Sequence, residues 1–244
     1  MYFRVMNEAK TPKFSFKKFS VSHHKSSMKV GVDAVLIGSW CNVEGHKGLD
    51  IGCGCGVIAL MCAQRNPEAV IKAIDIHGDS VGESRENFHN SIWNEHLVSL
   101  EGDVLEFSKH PSNLSSFDFI VSNPPFFNNG LISPESARAS ARHEGHLTIH
   151  SLLEAAGKML KPTGIFSLII PYDRRNELQQ SNLFFPIKEC LIADSPKAPF
   201  KRIMVQLSRE CISECSREIL YIKNEDGSFS HPYKNLTKEF YLKF

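Results

Sequence analysis

The chain has 244 residues, 42% of them apolar and 23% charged, a composition that supports one large domain with a sizeable core and excludes global disorder. No apolar run approaches the roughly 18 residues that span a bilayer, and the stretch MYFRVMNEAKTPKF lacks the apolar core of a secretion signal, so a soluble, cytoplasmic protein is expected. Seven scattered cysteines without paired CxxC spacing argue against a disulfide framework or a structural zinc site, and a net charge of +1 decides nothing about nucleic acid.

The charge is unevenly spread. Residues 1–30 hold seven Lys or Arg against one Glu, whereas residues 31–160 hold eight basic and sixteen acidic residues. Within the basic arm, FSFKKFSVS at 14–22 alternates Phe with polar residues and predicts a short strand. Phe14, Phe16 and Phe19 around Lys17 and Lys18 suit two roles. They can stack on bases while the lysines hold phosphates, or they can line an edge strand facing the core. A buried helix is predicted at 32–41 and a short strand at 48–51, running into a glycine-rich turn. A helix at 57–65 stops before Asn66-Pro67. Next come a strand at 69–75, a helix at 79–91, and strands at 98–103 and 117–122. A helix near 147–160 ends at Lys161-Pro162-Thr163-Gly164, and a strand follows at 165–171. Segments 187–194 and 202–208 read as a closing antiparallel pair. Segment 217–223 reads as an added edge strand before an Asp226-Gly227 turn. Strands alternating with helices imply an α/β fold with a mostly parallel sheet. One boundary is expected, between a basic N-terminal arm at 1–30 and a core domain at 31–244.

The chemistry begins at Leu49-Asp50-Ile51-Gly52-Cys53-Gly54-Cys55-Gly56, a strand, a G-x-G-x-G turn and a helix. Glycines let the backbone turn tightly and approach a ligand, and the helix start presents free N–H groups. The third glycine comes one residue earlier than in the dinucleotide fingerprint, which favours a ligand without a pyrophosphate. Asp75 ends the next strand at the distance where a carboxylate can accept from a ribose. Asp103 follows the third strand and can accept from an adenine amino group. Open α/β sheets bind ligands at this carboxyl edge.

Asn123-Pro124-Pro125-Phe126 follows the fourth strand. A target amino nitrogen conjugated to a ring or carbonyl has a delocalised lone pair. The Asn123 side-chain oxygen and the Pro124 carbonyl can each accept one of its hydrogens, localising that pair and aiming it. The prolines restrict φ and hold these acceptors in place, and Phe126 can stack on a flat base.

On these motifs the chain resembles the class I, Rossmann-like methyltransferases that carry N-P-P-[YF]. It is most similar to the bacterial family that N6-methylates adenine 37, just 3′ of the anticodon, in tRNA-Val. The likeness extends through Phe16-Lys17-Lys18-Phe19, Met28-Lys29-Val30-Gly31-Val32-Asp33 and Leu236-Thr237-Lys238-Glu239-Phe240-Tyr241-Leu242. It implies a twisted, mostly parallel seven-stranded sheet flanked by helices, with one antiparallel strand near the C-terminus. It also implies S-adenosyl-L-methionine as cofactor, S-adenosyl-L-homocysteine as product, and no metal. The implied cofactor residues are Lys29, Asp33, Asp50, Gly52, Cys53, Gly54, Gly56, Asp75, Ile76, Asp103, Val104 and Asn123, with Asn123, Pro124, Pro125 and Phe126 catalytic. Lys29 and Asp33 read equally well as surface charges. Phe126 departs from the family's usual tyrosine, which keeps stacking and loses a phenolic hydrogen bond. Lys17, Lys18, Arg138, Arg142 and His143 are candidates for tRNA contact, with an amphipathic helix surface as the alternative for the last three. The expected partner is tRNA, with no membrane, no obligate protein partner and a monomeric state. The rival readings are a protein-glutamine N5-methyltransferase, an adenine-N6-methyltransferase of another nucleic acid, and a non-catalytic cofactor-binding module.

Overall fold

The structure, a computed structural model, describes residues 13–26, 29–125, 147–211 and 214–243. The elements that build the cleft come first. They are β3 (Lys47–Ile51), α2 (Val57–Arg65), β4 (Val70–Asp75), α3 (Gly78–His89), β5 (Leu97–Glu101), the short α4 (Val104–Phe107) and β6 (Phe117–Ser122). Before them lie β1 (Phe14–Ser15), β2 (Ser20–Val21) and α1 (Val32–Trp40). After them come α5 (Ile149–Met159), β7 (Leu160–Pro171), β8 (Phe185–Ala193), β9 (Phe200–Ser208), β10 (Ser216–Tyr221) and α6 (His231–Thr237).

Among the described residues the main sheet has eight strands in the order β10-β8-β9-β7-β6-β3-β4-β5. Only β9 runs against its neighbours, and β10 pairs parallel to β8. The expected α/β sheet and its closing antiparallel pair are therefore present. The eighth strand, beyond the seven implied by resemblance, is the edge segment anticipated near 217–223.

Each strand's two faces feed separate cores. Ile71, Ala73, Phe119 and Val121 face α1, α2 and α3, while Leu49, Ile51, Ile74 and Ile120 face α4 and α5. All residues from Ala34 to Trp40 in α1 and from Val57 to Ala63 in α2 are buried, because these helices are covered on both sides. Gly38 lets them approach, since a Cβ there would meet Met61 Sδ at 2.6 Å. Helix α5 is amphipathic instead, and starts from a capping box formed by Thr148 and Ser151.

Four segments differ from expectation. Residues 14–22 form a hairpin, with Phe14 opposite Val21 and the Phe16 amide donating to the Phe19 carbonyl across Lys17-Lys18. Phe16, Phe19 and Val21 are buried in the same core as α1 and α2, the core-facing role. Strand β7 begins directly after α5 rather than at residue 165. A bulge between the Phe117–Leu160 and Phe119–Ile165 pairs absorbs the Lys161–Gly164 segment, and Lys161 is fixed by an ion pair to Asp118 at 2.6 Å. A 3-10 turn at Tyr172–Gln180 and helix α6 were unanticipated.

Candidate active site

Strands β4, β3 and β6 are parallel neighbours, so Asp75, Ile51 and Ser122 end at one edge of the sheet. The Ser122 hydroxyl donates to the Ile51 carbonyl at 2.9 Å and pins the two strand ends together. The glycine turn and the Asn-Pro-Pro segment therefore leave the sheet side by side.

The turn folds back on β4. The Gly52 and Cys53 amides both donate to the Ile74 carbonyl. Gly52, Gly54 and Gly56 have φ of +71°, +52° and +81°, a region costly for other residues. Their surroundings divide them. A Cβ on Gly56 would meet the Phe88 ring at 2.4 Å, whereas a Cβ on Gly52 or Gly54 would meet nothing within 4 Å. Gly56 thus serves packing, and Gly52 and Gly54 border open space.

Asp75 is largely buried and accepts from the Gly54 amide at 2.8 Å and the His77 amide at 2.9 Å. It therefore binds the turn to the β4 end. Ile76 beside it is 42% exposed, an apolar surface at the cleft edge. Asp103 caps α4 by accepting from the Leu105 amide at 2.7 Å, and Val104 is buried behind it.

Asp50 differs from the other acids. It has no exposed surface, so its place is beneath the turn as a support and not facing the cleft. One carboxyl oxygen accepts from the Ala59 amide in the first turns of α2, and the other has no partner among the described residues. Burial raises its pKa to about 8, and the Ala59 hydrogen bond offsets only part of that effect. Cys53 is also buried, and burial pushes its thiol pKa up.

Asn123 is half-buried, Pro124 buried and Pro125 exposed. Phe126, Arg138, Arg142 and His143 lie outside the described residues.

A second layer escaped the sequence reading. Helix α3 turns a polar face inward, with Ser80, Glu83, Ser84 and Asn87 all buried. The Glu83 carboxylate, 2% exposed, accepts from the amides of His24, Lys25 and Ser26 and from the Ser26 hydroxyl. Burial pushes its pKa up, but the Ser26 hydroxyl and these amides outweigh burial, and the net direction is down. One turn later, the Asn87 side chain accepts from the Ser22 amide and donates to the carbonyls of Ser22 and Cys55. The segment following the hairpin is thereby clamped onto the glycine turn. His23 Nδ1 accepts from the Val30 amide at 3.1 Å, tying Val30 back to the same segment.

Lys29 is exposed, while Asp33 forms an ion pair with Arg202 at 2.8 Å. Lys17 and Lys18 are both exposed at the hairpin tip. Lys17 is occupied within the chain, its Nζ donating to the Lys238 carbonyl at 2.5 Å and its amide to the Phe240 carbonyl at 2.9 Å. Among the described residues no group of His, Cys, Asp or Glu could hold a metal, and no helix is long and apolar enough to cross a membrane.

Comparison with known proteins agrees with this geometry. The methyltransferase small domain matches residues 33–182. The tRNA1(Val) (adenine(37)-N6)-methyltransferase of Yersinia enterocolitica is 38% identical over 237 residues, covering 95% of this chain and 93% of its own. Among solved structures, a predicted O-methyltransferase, Atu636 of Agrobacterium tumefaciens, is similar with a TM-score of 0.70 at 16% identity, over 85% of this chain and 96% of that one. M. capricolum TrmK, in complex with S-adenosyl-homocysteine, shares the fold with a TM-score of 0.53 at 13% identity, over 77% of this chain and 72% of its own. A glycine turn beside a strand-end Asp, an Asn-Pro-Pro segment pinned to it, and near-full-length identity above one third agree: the chain belongs to the methyltransferase small-domain family, among the tRNA1(Val) (adenine(37)-N6)-methyltransferases.

Proposed function

We propose that the chain transfers a methyl group from S-adenosylmethionine to N6 of adenine 37 in tRNA-Val, as its relatives' name states, and that it works in the cytoplasm. The observation that carries this reading is the pinning of Asn123-Pro124-Pro125 beside an open glycine turn through the Ser122–Ile51 hydrogen bond.

The residues present fit the cofactor. Open space over Gly52 and Gly54 leaves room for its methionine part, and Asp75 stands at the strand end where ribose hydroxyls can donate. Exposed Ile76 offers an apolar face for the adenine ring, and Asp103 an acceptor for its amino group. S-adenosylmethionine supplies an electrophilic sulfonium methyl when bound. The protein's task is to present the nitrogen. The Asn123 side-chain oxygen and the Pro124 carbonyl each accept one amino hydrogen from the target adenine. That draws the lone pair out of conjugation and stabilises positive charge developing on nitrogen. Orientation of this kind supplies roughly 7–11 kcal/mol in favourable cases. No strong base is needed before transfer, because the nitrogen attacks while still carrying both hydrogens. The adenine must be unstacked, which costs less in a loop than in a duplex. Phe126 would stack on the base, and Arg138, Arg142 and His143 would hold neighbouring phosphates.

The direct test offers labelled S-adenosylmethionine with unmodified tRNA-Val, the same transcript bearing guanine at position 37, and a glutamine-containing peptide. Label entering only the first is expected. Label entering the peptide and not the RNA would overturn the reading in favour of glutamine methylation.

A further inference from the structure

A groove of about 580 Å3 lies at the seam between the arm hairpin and the C-terminal segment, and none of its lining residues belongs to the glycine turn. Its lining includes Phe14, Val32, Lys223, Phe229, Tyr241 and Lys243. Its rings Phe14, Phe229, Tyr233 and Tyr241 belong to one series that passes through buried Phe16 behind the wall. Phe229 stacks on Tyr233 at 5.4 Å, Tyr233 meets Tyr241 at 6.4 Å, Tyr241 stacks on Phe16 at 6.3 Å, and Phe16 meets Phe14 at 4.9 Å. Tyr233 is buried, but Phe229 remains 39% exposed.

The groove's charge is positive. Lys223 and Lys243 form no ion pair among the described residues, and the lining carboxylate, Asp194, is neutralised by Lys201. The adjoining stretch 13–30 carries five lysines and no acidic residue. One wall is Val30-Gly31-Val32, the backbone held near the glycine turn through His23 and the α3 clamp. Aromatic rings flanked by unpaired lysines suit a base with its phosphates, since every base has a face to stack and every linkage a negative charge. An acidic peptide would satisfy the lysines and leave the rings unused.

We propose that this groove receives an unstacked nucleotide flanking the target adenine, its base on the aromatic wall and its phosphates on Lys223 and Lys243. The inference rests on the tRNA reading above and extends it to a second contact that holds the loop open beside the cleft.

The test uses the full chain with an unmodified anticodon stem-loop RNA of tRNA-Val. It compares wild type, Phe229→Ala, the double variant Lys223→Ala/Lys243→Ala, and Lys109→Ala as a control on an exposed surface outside the groove. Stacking on an aromatic ring accounts for about 1–3 kcal/mol per base, so Phe229→Ala should raise KM for RNA roughly 5- to 150-fold with kcat little changed. The double variant should lower the slope of log Kd against log salt by about 1.4, two phosphates at about 0.7 each. S-adenosylmethionine affinity should not change in any variant, and Lys109→Ala should match wild type. The lysine variant alters only side chains at the groove surface, so the test stands even where Phe229→Ala loses stability. Wild-type KM and salt slope in both groove variants, alongside active wild-type enzyme, would overturn the groove and leave the tRNA reading intact. A wild-type enzyme that fails to methylate the RNA would overturn both.

Discussion

In the cleft, side chains reach partners at short to middle range along the chain, the longest being Ser122 to Ile51 across 71 residues. Ala59 donates to Asp50 across nine residues, and Gly54 to Asp75 across 21. At the seam of the chain ends, the Lys17–Lys238 contact spans 221 residues, Trp40–Glu218 spans 178 and Gln64–Glu239 spans 175. The cleft is assembled by consecutive βαβ units, whose glycines, strand ends and helix starts carry its geometry. The seam forms only where segments far apart in the chain dock together on the core. Asn87 joins the two regions, because one amide group holds both Ser22 of the arm and Cys55 of the turn. The seam thus ties segments far apart in the chain to the core, and α3 links it to the cleft.

The largest effect is expected at Asn123. Asn123→Ala should lower methyl transfer by about 10²–10³-fold, the loss typical of one positioned transition-state hydrogen-bonding group, while cofactor binding and unfolding stay near wild type. A tenfold or smaller loss would mean that the chemistry does not depend on this acceptor. Next comes the packing beneath the turn. Gly56→Ala places a methyl group into the Phe88 ring at positive φ. It should cost roughly 2–4 kcal/mol in denaturant unfolding from overpacking and backbone strain together, and a cost under 1 kcal/mol would contradict the packing described.

Glu83→Gln probes the link between the regions. A glutamine keeps the shape but loses the charge that accepts from four donors. Hydrogen bonds to a charged group contribute about 1.5–3 kcal/mol, and stability should fall by that order. Cofactor affinity should fall with it, because the clamped segment rests on the glycine turn. A variant with lowered stability but unchanged affinity would separate seam from cleft completely. Because the Glu83 pKa is lowered on folding, its stabilisation is present above the ordinary glutamate pKa and disappears as the pH falls through its folded value. Asp50 has the opposite sign. With a folded pKa of about 8, folding favours its protonated form, so its contribution declines as the pH rises from near 4 through 8. Asp50→Asn should therefore gain melting temperature relative to wild type on going from pH 5 to pH 9, and a pH-independent difference would contradict the burial effect.

The smallest effects separate two adjacent lysines. Lys17 is bound to the Lys238 carbonyl, and Lys18 has no such partner among the described residues. Lys18→Ala should reduce the salt slope of RNA binding by about 0.7–0.9, whereas Lys17→Ala should act mainly on the melting temperature. Equal effects of the two on the salt slope would place both on RNA.

The two regions were not equally legible. Gly52, Gly54, Gly56 and Asp75 could be read because a turn and its strand ends are local patterns, and the same holds for Asn123-Pro124-Pro125. The locality that makes the cleft readable also limits what spacing conveys: Asp50 belongs to the motif, yet only the fold shows it buried under the turn. Glu83 and Asn87 were missed because DSVGESRENFHNS has the polarity of a solvated helix. The inward polar face becomes meaningful only once Ser22 to Ser26 supply its partners. The Phe residues of the arm suited stacking on bases or packing on the core until Trp93 and Tyr241, far along the chain, were found against them. The single strand read at 14–22 is a hairpin for the same reason: Lys17 turns out to meet the chain's other end.

Methyl transfer by the cleft is tested most directly with labelled S-adenosylmethionine and unmodified total tRNA, with nucleoside analysis and mapping of the product, for wild type beside Asn123→Ala. Wild type is expected to give N6-methyladenosine at position 37 of tRNA-Val, and the variant to lose it while cofactor binding persists. No N6-methyladenosine in tRNA from a folded, cofactor-binding wild type, or undiminished product from the variant, would contradict that role of the cleft.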